Sequence, residues 1–348
     1  MNTPSLKALA QVVLGATLTL VLADLGIQRI APVAPRIIEV ADGIAAYQAG
    51  DPDTLVLGSS HTRSFAPVAE TLARESGGQI QAVLVPVEWG TFSSYNWVLR
   101  HRLKDLIEER RGDGQLRRPR LQRALLIATF YDLCAKSYVG LTANLPARAW
   151  AIEHFLLDTV ENGLTPYNRN YLQTQWKLLF DHSILVTDRG YQRAPYALIS
   201  QVRPLPPPEV LRARRIQMAR GHMEEQYDHC DDDAEKRELQ QMINYFHGRD
   251  IELSIINFPL DPAIITEKSR QTTLARYDRF SAQLAREQPI RLVDLTFKTP
   301  LMDLDFQADL DHVTPESNKK FAAWALANDL AYLRTPRVRA AAPAGARP

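Results

Sequence analysis

Short apolar runs that alternate with segments of helical spacing form the main pattern along this chain. The apolar runs are Thr54–Gly58, Ile80–Val87, Leu121–Thr129, Ile251–Phe258 and Arg291–Leu295. The segments with helical spacing are Ile37–Ala49, Val68–Glu75, Tyr95–Glu109 and Leu211–Phe246, followed by a helix that starts near Pro315. Strands that alternate with helices in this way are typical of a parallel sheet covered on both faces. The pattern therefore predicts an α/β fold.

The N-terminus has a different pattern, because no charged residue occurs from Ala8 to Ala23. Continued to Ile27, the segment reaches the roughly 20 residues that a membrane span needs. Its apolar residues surround the helix instead of forming one stripe, which disfavours a buried helix of a soluble protein. We expect an uncleaved membrane anchor. The alternative is a cleaved signal peptide, since Val21-Leu22-Ala23 has the small-residue spacing of a cleavage site. Either option exports the rest of the chain.

These patterns divide the chain into four parts. They are an anchor or signal segment at 1–29, a linker with a short helix at 30–52, an α/β domain at 53–334 and a disordered tail at 335–348. A long insertion at about 135–210 interrupts the domain and contains Trp150 and Trp176. It ends in the stiff segment Arg203–Pro208. We predict a helical lid or partner surface there, with ordinary packing of the aromatic residues as the alternative.

Composition excludes several classes of function. The 348 residues include 41 Lys and Arg against 40 Asp and Glu, so the net charge of +1 offers no bulk attraction for nucleic acid. With two cysteines, Cys134 and Cys230, the chain has neither a disulfide scaffold nor a multi-cysteine metal site. The acidic run Asp228–Asp233 suits a solvated turn better than a metal centre. No metal and no cofactor are therefore expected.

Candidate chemistry begins at Leu57–Thr62 (LGSSHT), where the first strand ends and a helix begins. Ligands of parallel α/β sheets bind beyond the carboxyl ends of the strands. A serine on such a turn can expose its hydroxyl near backbone N–H groups that stabilise an oxyanion. The alternative is a serine that caps the next helix. We expect His61, next to Ser60, to point away from the nucleophile or to touch substrate.

The second candidate segment is Ala308–Glu316 (ADLDHVTPE), close to the end of the domain. A serine nucleophile needs a base, and the base needs a carboxylate that orients it. Asp309 and His312 can supply both from one loop. The alternative is again helix capping, by Thr314, with the histidine incidental.

Together, the G-x-S turn and the later D-x-x-H resemble the SGNH (GDSL-like) hydrolase superfamily. The resemblance implies a flavodoxin-like three-layer sheet, with Ser60 as nucleophile, Asp309 as triad acid and His312 as general base. Asp311 could replace Asp309 as the acid in principle, but it is too close to His312 in sequence to match the family's pattern. Ser60 and Gly90 match the family's oxyanion-hole N–H donors. The family's asparagine donor has no counterpart in Ala128–Asp132 (ATFYD), so that hole is incomplete or another group completes it.

The G-S-S variant of the usual G-D-S resembles a membrane-anchored subgroup that modifies cell-surface polymers. It includes the alginate O-acetyltransferase accessory proteins and the D-alanyl-transfer protein of teichoic acid synthesis. The resemblance implies a single-pass protein of the cytoplasmic (inner) membrane whose periplasmic or external domain O-acylates a glycan or envelope polymer. It also implies a multi-span membrane acyltransferase as partner and acyl donor. The alternatives are a secreted or periplasmic esterase or lipase, and a non-catalytic envelope scaffold.

Overall fold

The structure is a computed structural model that covers most of the predicted α/β domain. It describes residues 35–50, 52–87, 90–108, 121–133, 232–307 and 310–337, and scattered helical positions at 8–22 and 210–221. The chain separates into two compact units, Met1–Ile38 with Val139–Leu205, and Glu39–Tyr138 with Pro206–Pro348. The predicted insertion up to residue 209, the predicted tail beyond Arg337 and both cysteines lie outside the described residues.

The predicted N-terminal anchor falls mostly outside the described residues as well. Residues 1–29 are described only at scattered positions between 8 and 22. Within the part of the chain that the structure describes, no helix has both the length and the apolar character needed to cross a bilayer. The anchor stays a prediction.

The described helices and strands alternate along the chain. They are α1 (Pro35–Gly50), β1 (Thr54–Gly58), α2 (Ala66–Glu75), β2 (Ala82–Pro86), α3 (Phe92–Val98), α4 (Lys104–Ile107), β3 (Arg123–Ala128), α5 (Asp233–His247), β4 (Glu252–Asn257), α6 (Glu267–Ser269), α7 (Ala275–Glu287), β5 (Ile290–Asp294) and α8 (Asn318–Ala327). A π turn at Leu99–Leu103 joins α3 to α4, and a second at Arg270–Leu274 joins α6 to α7. The helix predicted near Pro315 begins three residues later, at Asn318.

The five strands form one parallel sheet in the order β2-β1-β3-β4-β5. This is the order of flavodoxin-like sheets. The predicted α/β fold with a parallel sheet is confirmed, and each strand lies within or next to a predicted apolar run. The chain reverses direction across the sheet between β1 and β3, and in such folds the carboxyl ends at the reversal are where ligands bind.

Helices cover both faces of the sheet. Right-handed crossovers place α2 on one face and α3, α5 and α7 on the other, because the chain first moves outward from β1 to β2 and then back across the sheet. The contacts agree, since α8 packs against α2 while α5 packs against α3. Strands β1 and β3 are buried along their full length, as expected for central strands between two helical layers.

A buried carboxylate joins α5 to the start of α3. Glu235 is 1 % exposed and accepts hydrogen bonds from the Thr91 hydroxyl (2.7 Å), the Ser93 N–H (2.8 Å) and the Ser93 hydroxyl (2.7 Å). It thereby pairs a helix N–H that has no partner within α3. Burial raises the pKa of Glu235 to about 7, although these hydrogen bonds oppose the increase.

This pKa predicts a pH-dependent stability. The folded state holds the Glu235 proton more tightly than the unfolded state, whose glutamate pKa is about 4.3. The contribution to stability is therefore complete below pH 4 and is lost as the pH rises through about 7. We expect the free energy of unfolding of the wild-type protein, measured with urea, to fall by roughly 3 kcal/mol between pH 4 and pH 8 because of Glu235. In Glu235→Gln this decrease should be absent. The exposed Glu287→Gln is the control; an equal change there would contradict the assignment.

Candidate active site

The turn after β1 presents two consecutive serines at the carboxyl edge of the sheet. Gly58 ends the strand, where an added Cβ would lie 2.3 Å from the Ile127 carbonyl oxygen of β3, so no larger residue fits. A 3₁₀ turn, Ser60–Phe65, follows directly, and its first N–H bonds include Thr62 N–H to the Ser59 carbonyl (3.0 Å). The turn is buried at most of its positions, including Ser60 and His61.

A short hairpin presents the histidine from the other end of the domain. Phe306 and Val313 form an antiparallel bridge, and the Gln307 N–H donates to the His312 carbonyl at 2.7 Å. At the tip, Leu310 is fully buried with a φ of 59°, a left-handed conformation that costs a branched residue about 1–2 kcal/mol. The buried side chain thus anchors a strained loop. The Leu310 carbonyl accepts the Asp261 N–H (3.2 Å), which fixes the hairpin to the segment after β4.

These two loops bring Ser60 and His312 together. The Ser60 hydroxyl lies 2.5 Å from Nε2 of His312, across 252 residues of sequence. Ser60 is 6 % exposed and the His312 side chain 26 %, so the pair is sheltered but reachable. The Ser59 side chain, which precedes the 3₁₀ turn, makes no capping hydrogen bond. In the second segment the Thr314 hydroxyl accepts the Ser317 N–H at 3.2 Å, as the capping alternative predicts, and His312 contacts Ser60 in addition.

His61 does not point away from the nucleophile, contrary to the sequence-based expectation. Its ring stacks on that of His312, with centroids 4.5 Å apart and planes 10° from parallel. On its other side it packs against Phe258, also at 4.5 Å. The 3₁₀ turn explains the difference, because it rotates consecutive side chains by about a third of a turn instead of alternating them as a strand would.

Asp311 contacts both histidines. One carboxylate oxygen lies 3.1 Å from Nε2 of His61, and the other lies 3.8 Å from Nδ1 of His312. The second distance is that of an ion pair and exceeds a hydrogen bond. Asp309, the predicted triad acid, lies outside the described residues, so its assignment stays a prediction.

Gly90 is held in a turn that uses its N–H. This N–H donates to the Val87 carbonyl at 2.7 Å, and the Gly90 carbonyl accepts the Tyr95 hydroxyl at 2.7 Å. Tyr95 also reaches the carboxylate of Asp132 at 3.2 Å. The predicted oxyanion donor is therefore engaged within the protein, and it can serve a ligand only if the turn opens.

Two groups follow β3, where the resemblance would place an asparagine. The fully buried Asp132 accepts the Thr129 N–H at 2.8 Å, and burial raises the pKa of this carboxyl well above its usual value. The Thr129 hydroxyl is buried and has no hydrogen-bond partner in the described structure. Thr129 thus has a hydroxyl donor without a described partner at the end of β3. The sequence motifs do not point to this residue.

Three residues of this site are also the described group best able to hold a metal. The ligand atoms of His61, Asp311 and His312 lie within 4.8 Å of one another. Two imidazoles and a carboxylate at this spacing can also transfer a proton or stabilise a charge.

No protein-family model matches this chain, and no curated protein does. What the site can do must therefore be judged from its own chemistry. A buried serine bonded to a partly exposed histidine, with a carboxylate close to that histidine, has the parts of a nucleophile, a base and an acid.

Proposed function

We propose that this protein is a Ser-His-Asp acyl-transfer enzyme that O-acylates a glycan or another polymer of the cell envelope. The contact that carries the proposal is the 2.5 Å approach of the Ser60 hydroxyl to Nε2 of His312. It occurs at the carboxyl edge of the parallel sheet, beside the reversal between β1 and β3. Both the pairing and its place in the fold support the assignment of Ser60 as an activated nucleophile.

The reaction proceeds in two steps. His312 takes the hydroxyl proton of Ser60 at Nε2 while Oγ attacks the carbonyl carbon of the acyl donor, and the proton passes to the leaving group. In the second step a sugar hydroxyl gives its proton to His312 and attacks the acyl-serine, which releases the ester and restores the Ser60 hydroxyl. Asp309 orients the imidazole and balances its positive charge.

The oxyanion receives the Ser60 N–H and two further donors. Gly90 fills this role once its turn gives up the bond to the Val87 carbonyl. The Thr129 hydroxyl stands in for the missing asparagine, since it is a buried donor at the end of β3 with no described partner. Each such donor is worth about 100- to 1000-fold in rate.

The wider setting follows from the resemblance of the motifs. We propose an SGNH-type domain with a helical insertion, held by its N-terminal helix in the cytoplasmic membrane and facing the periplasm or the exterior. A multi-span membrane acyltransferase would deliver the acyl group across the membrane. Tethering would then bring enzyme and substrate together, since a net charge of +1 gives no electrostatic steering.

Active-site labelling tests this proposal. A fluorophosphonate reacts with an activated serine, so the full-length chain should be labelled at Ser60, and Ser60→Ala should abolish the label. Ser59→Ala is the matched control, because Ser59 is its equally buried neighbour and is also bonded to a histidine. The Ser59→Ala variant should still be labelled at Ser60, but the labelling reaction should be slower.

The identity of the acceptor separates transferase from esterase. With an activated acetyl ester, a transferase forms more acetylated oligosaccharide than free acetate, whereas an esterase forms acetate whether or not a sugar is present. Unchanged labelling in Ser60→Ala would overturn the nucleophile. Normal polymer modification in a Ser60→Ala strain would instead favour the non-catalytic scaffold, an alternative supported by the engaged Gly90 N–H.

A further inference from the structure

A second chain of hydrogen bonds lies directly beside the proposed catalytic pair. The Ser59 hydroxyl is 2.7 Å from Nδ1 of His61, and Nε2 of His61 is 3.1 Å from Asp311. Ser59 is 2 % exposed and the His61 side chain 1 %, so this chain is more deeply buried than the Ser60–His312 pair. Neither Ser59 nor His61 has a role in the two-step reaction above.

The direction of these hydrogen bonds follows from the chemistry of the end groups. An ionised carboxylate only accepts, so Nε2 of His61 must carry the ring proton that it donates to Asp311. Nδ1 lies 2.7 Å from the Ser59 hydroxyl, so both ring nitrogens of His61 are used.

The environment of His61 leaves it little freedom. Phe258 packs on the ring at 4.5 Å and belongs to a buried cluster with Phe65 and Phe321. The His312 ring covers the opposite face. A donor this firmly held can fix the carboxylate that accepts from it.

We propose that His61 is a positioning residue whose ring is oriented by its hydrogen bond with Ser59. It holds the Asp311 carboxylate so that the second oxygen faces Nδ1 of His312. This inference rests on the proposed function, because it concerns the charge that develops on His312 as it takes the Ser60 proton. At 3.8 Å without a hydrogen bond, Asp311 acts through its charge.

Nitrogen NMR tests the arrangement without any catalytic turnover. In full-length chain labelled with ¹⁵N-histidine, His61 should show a protonated Nε2, with its signals identified by their loss in His61→Gln. Asp311→Asn should change the His61 signals. An unprotonated Nε2 would overturn the proposal, since His61 could then donate no hydrogen bond to Asp311.

Two replacements separate hydrogen bonding from stacking. His61→Phe keeps an aromatic ring against Phe258 and loses the donor, whereas His61→Gln keeps an N–H donor and loses the ring. We expect His61→Phe to slow fluorophosphonate labelling and to lower kcat about 10- to 100-fold with KM unchanged. His61→Gln should recover most of this loss. Equal loss in both variants would overturn the proposal in favour of a packing role.

A double-mutant cycle tests the route through Asp311. His61→Phe should have little further effect in an Asp311→Asn background, because a neutral amide has already replaced the carboxylate that His61 positions. Independent, multiplying effects would overturn the proposal. Failure of the proposed function itself has a different result: wild type would not be labelled at Ser60, while the NMR experiment would still report on His61.

Discussion

Ser60→Ala and His312→Ala are each expected to lower kcat of acyl transfer by about 10⁵- to 10⁶-fold, with little change in KM. The reason is the 2.5 Å contact between the Ser60 hydroxyl and Nε2 of His312: without the base the hydroxyl is a poor nucleophile, and without the hydroxyl the base has no proton to remove. Because the two act as one unit, the double variant should be no slower than either single variant. Single-turnover kinetics with an activated ester measures all three rates.

Ser64→Ala is the matched control for this experiment. Ser64 lies on the same 3₁₀ turn and is 4 % exposed, so its replacement reproduces the loss of a buried hydroxyl without touching His312. It should keep near wild-type kinetics. If the double variant lost the product of the two single effects, Ser60 and His312 would act independently and the proposed proton transfer between them would be wrong.

Asp309→Asn is expected to lower kcat about 10⁴-fold, the second-largest effect. An amide in place of the triad acid allows the wrong imidazole tautomer and provides no charge for the imidazolium. Asp311→Asn should have a smaller effect, because its carboxylate lies 3.8 Å from Nδ1 of His312, beyond hydrogen-bond distance. The comparison is sharp, since the two aspartates differ by two positions and the replacement is the same.

The ratio of the two rates identifies the triad acid. If Asp311→Asn were the more damaging change, Asp311 would be the acid and the D-x-x-H spacing would not describe this site. Circular dichroism and urea unfolding of both variants show whether the strained turn at Leu310 still forms. If a variant unfolds at the same denaturant concentration as wild type but has lost activity, the loss is due to the missing carboxylate and not to unfolding.

The strands of this domain could be predicted because their pattern is local. Thr54–Gly58 is an apolar run ended by a glycine, and it forms β1 with the predicted bounds. The longer run Ile80–Val87 exceeds β2 at both ends, because Ile80 and Val87 are buried beside the strand and the Val87 N–H still donates to the Gly58 carbonyl of β1. Local patterns locate a strand well and its ends less well.

The neighbourhood of the candidate nucleophile could be predicted only in part. Ser60 and His312 stood out because each combines a reactive residue type with a turn next to a predicted strand or helix. The expectation for His61 is wrong, because the direction of a side chain depends on whether the chain continues as a strand or tightens into a 3₁₀ turn. Sequence spacing alone disfavours Asp311, whereas the left-handed Leu310 before it changes which side chains share a face.

Sequence by itself determined the α/β class, the five strands and the two short segments that hold the candidate chemistry, because each depends on residues close together in the chain. Tertiary structure decided the strand order, the stacking of His61 on His312 and the burial of Glu235. These depend on side chains that meet across more than a hundred residues, such as Glu235 with Ser93. No local pattern encodes such a meeting, since it arises only when the helical layers close over the sheet.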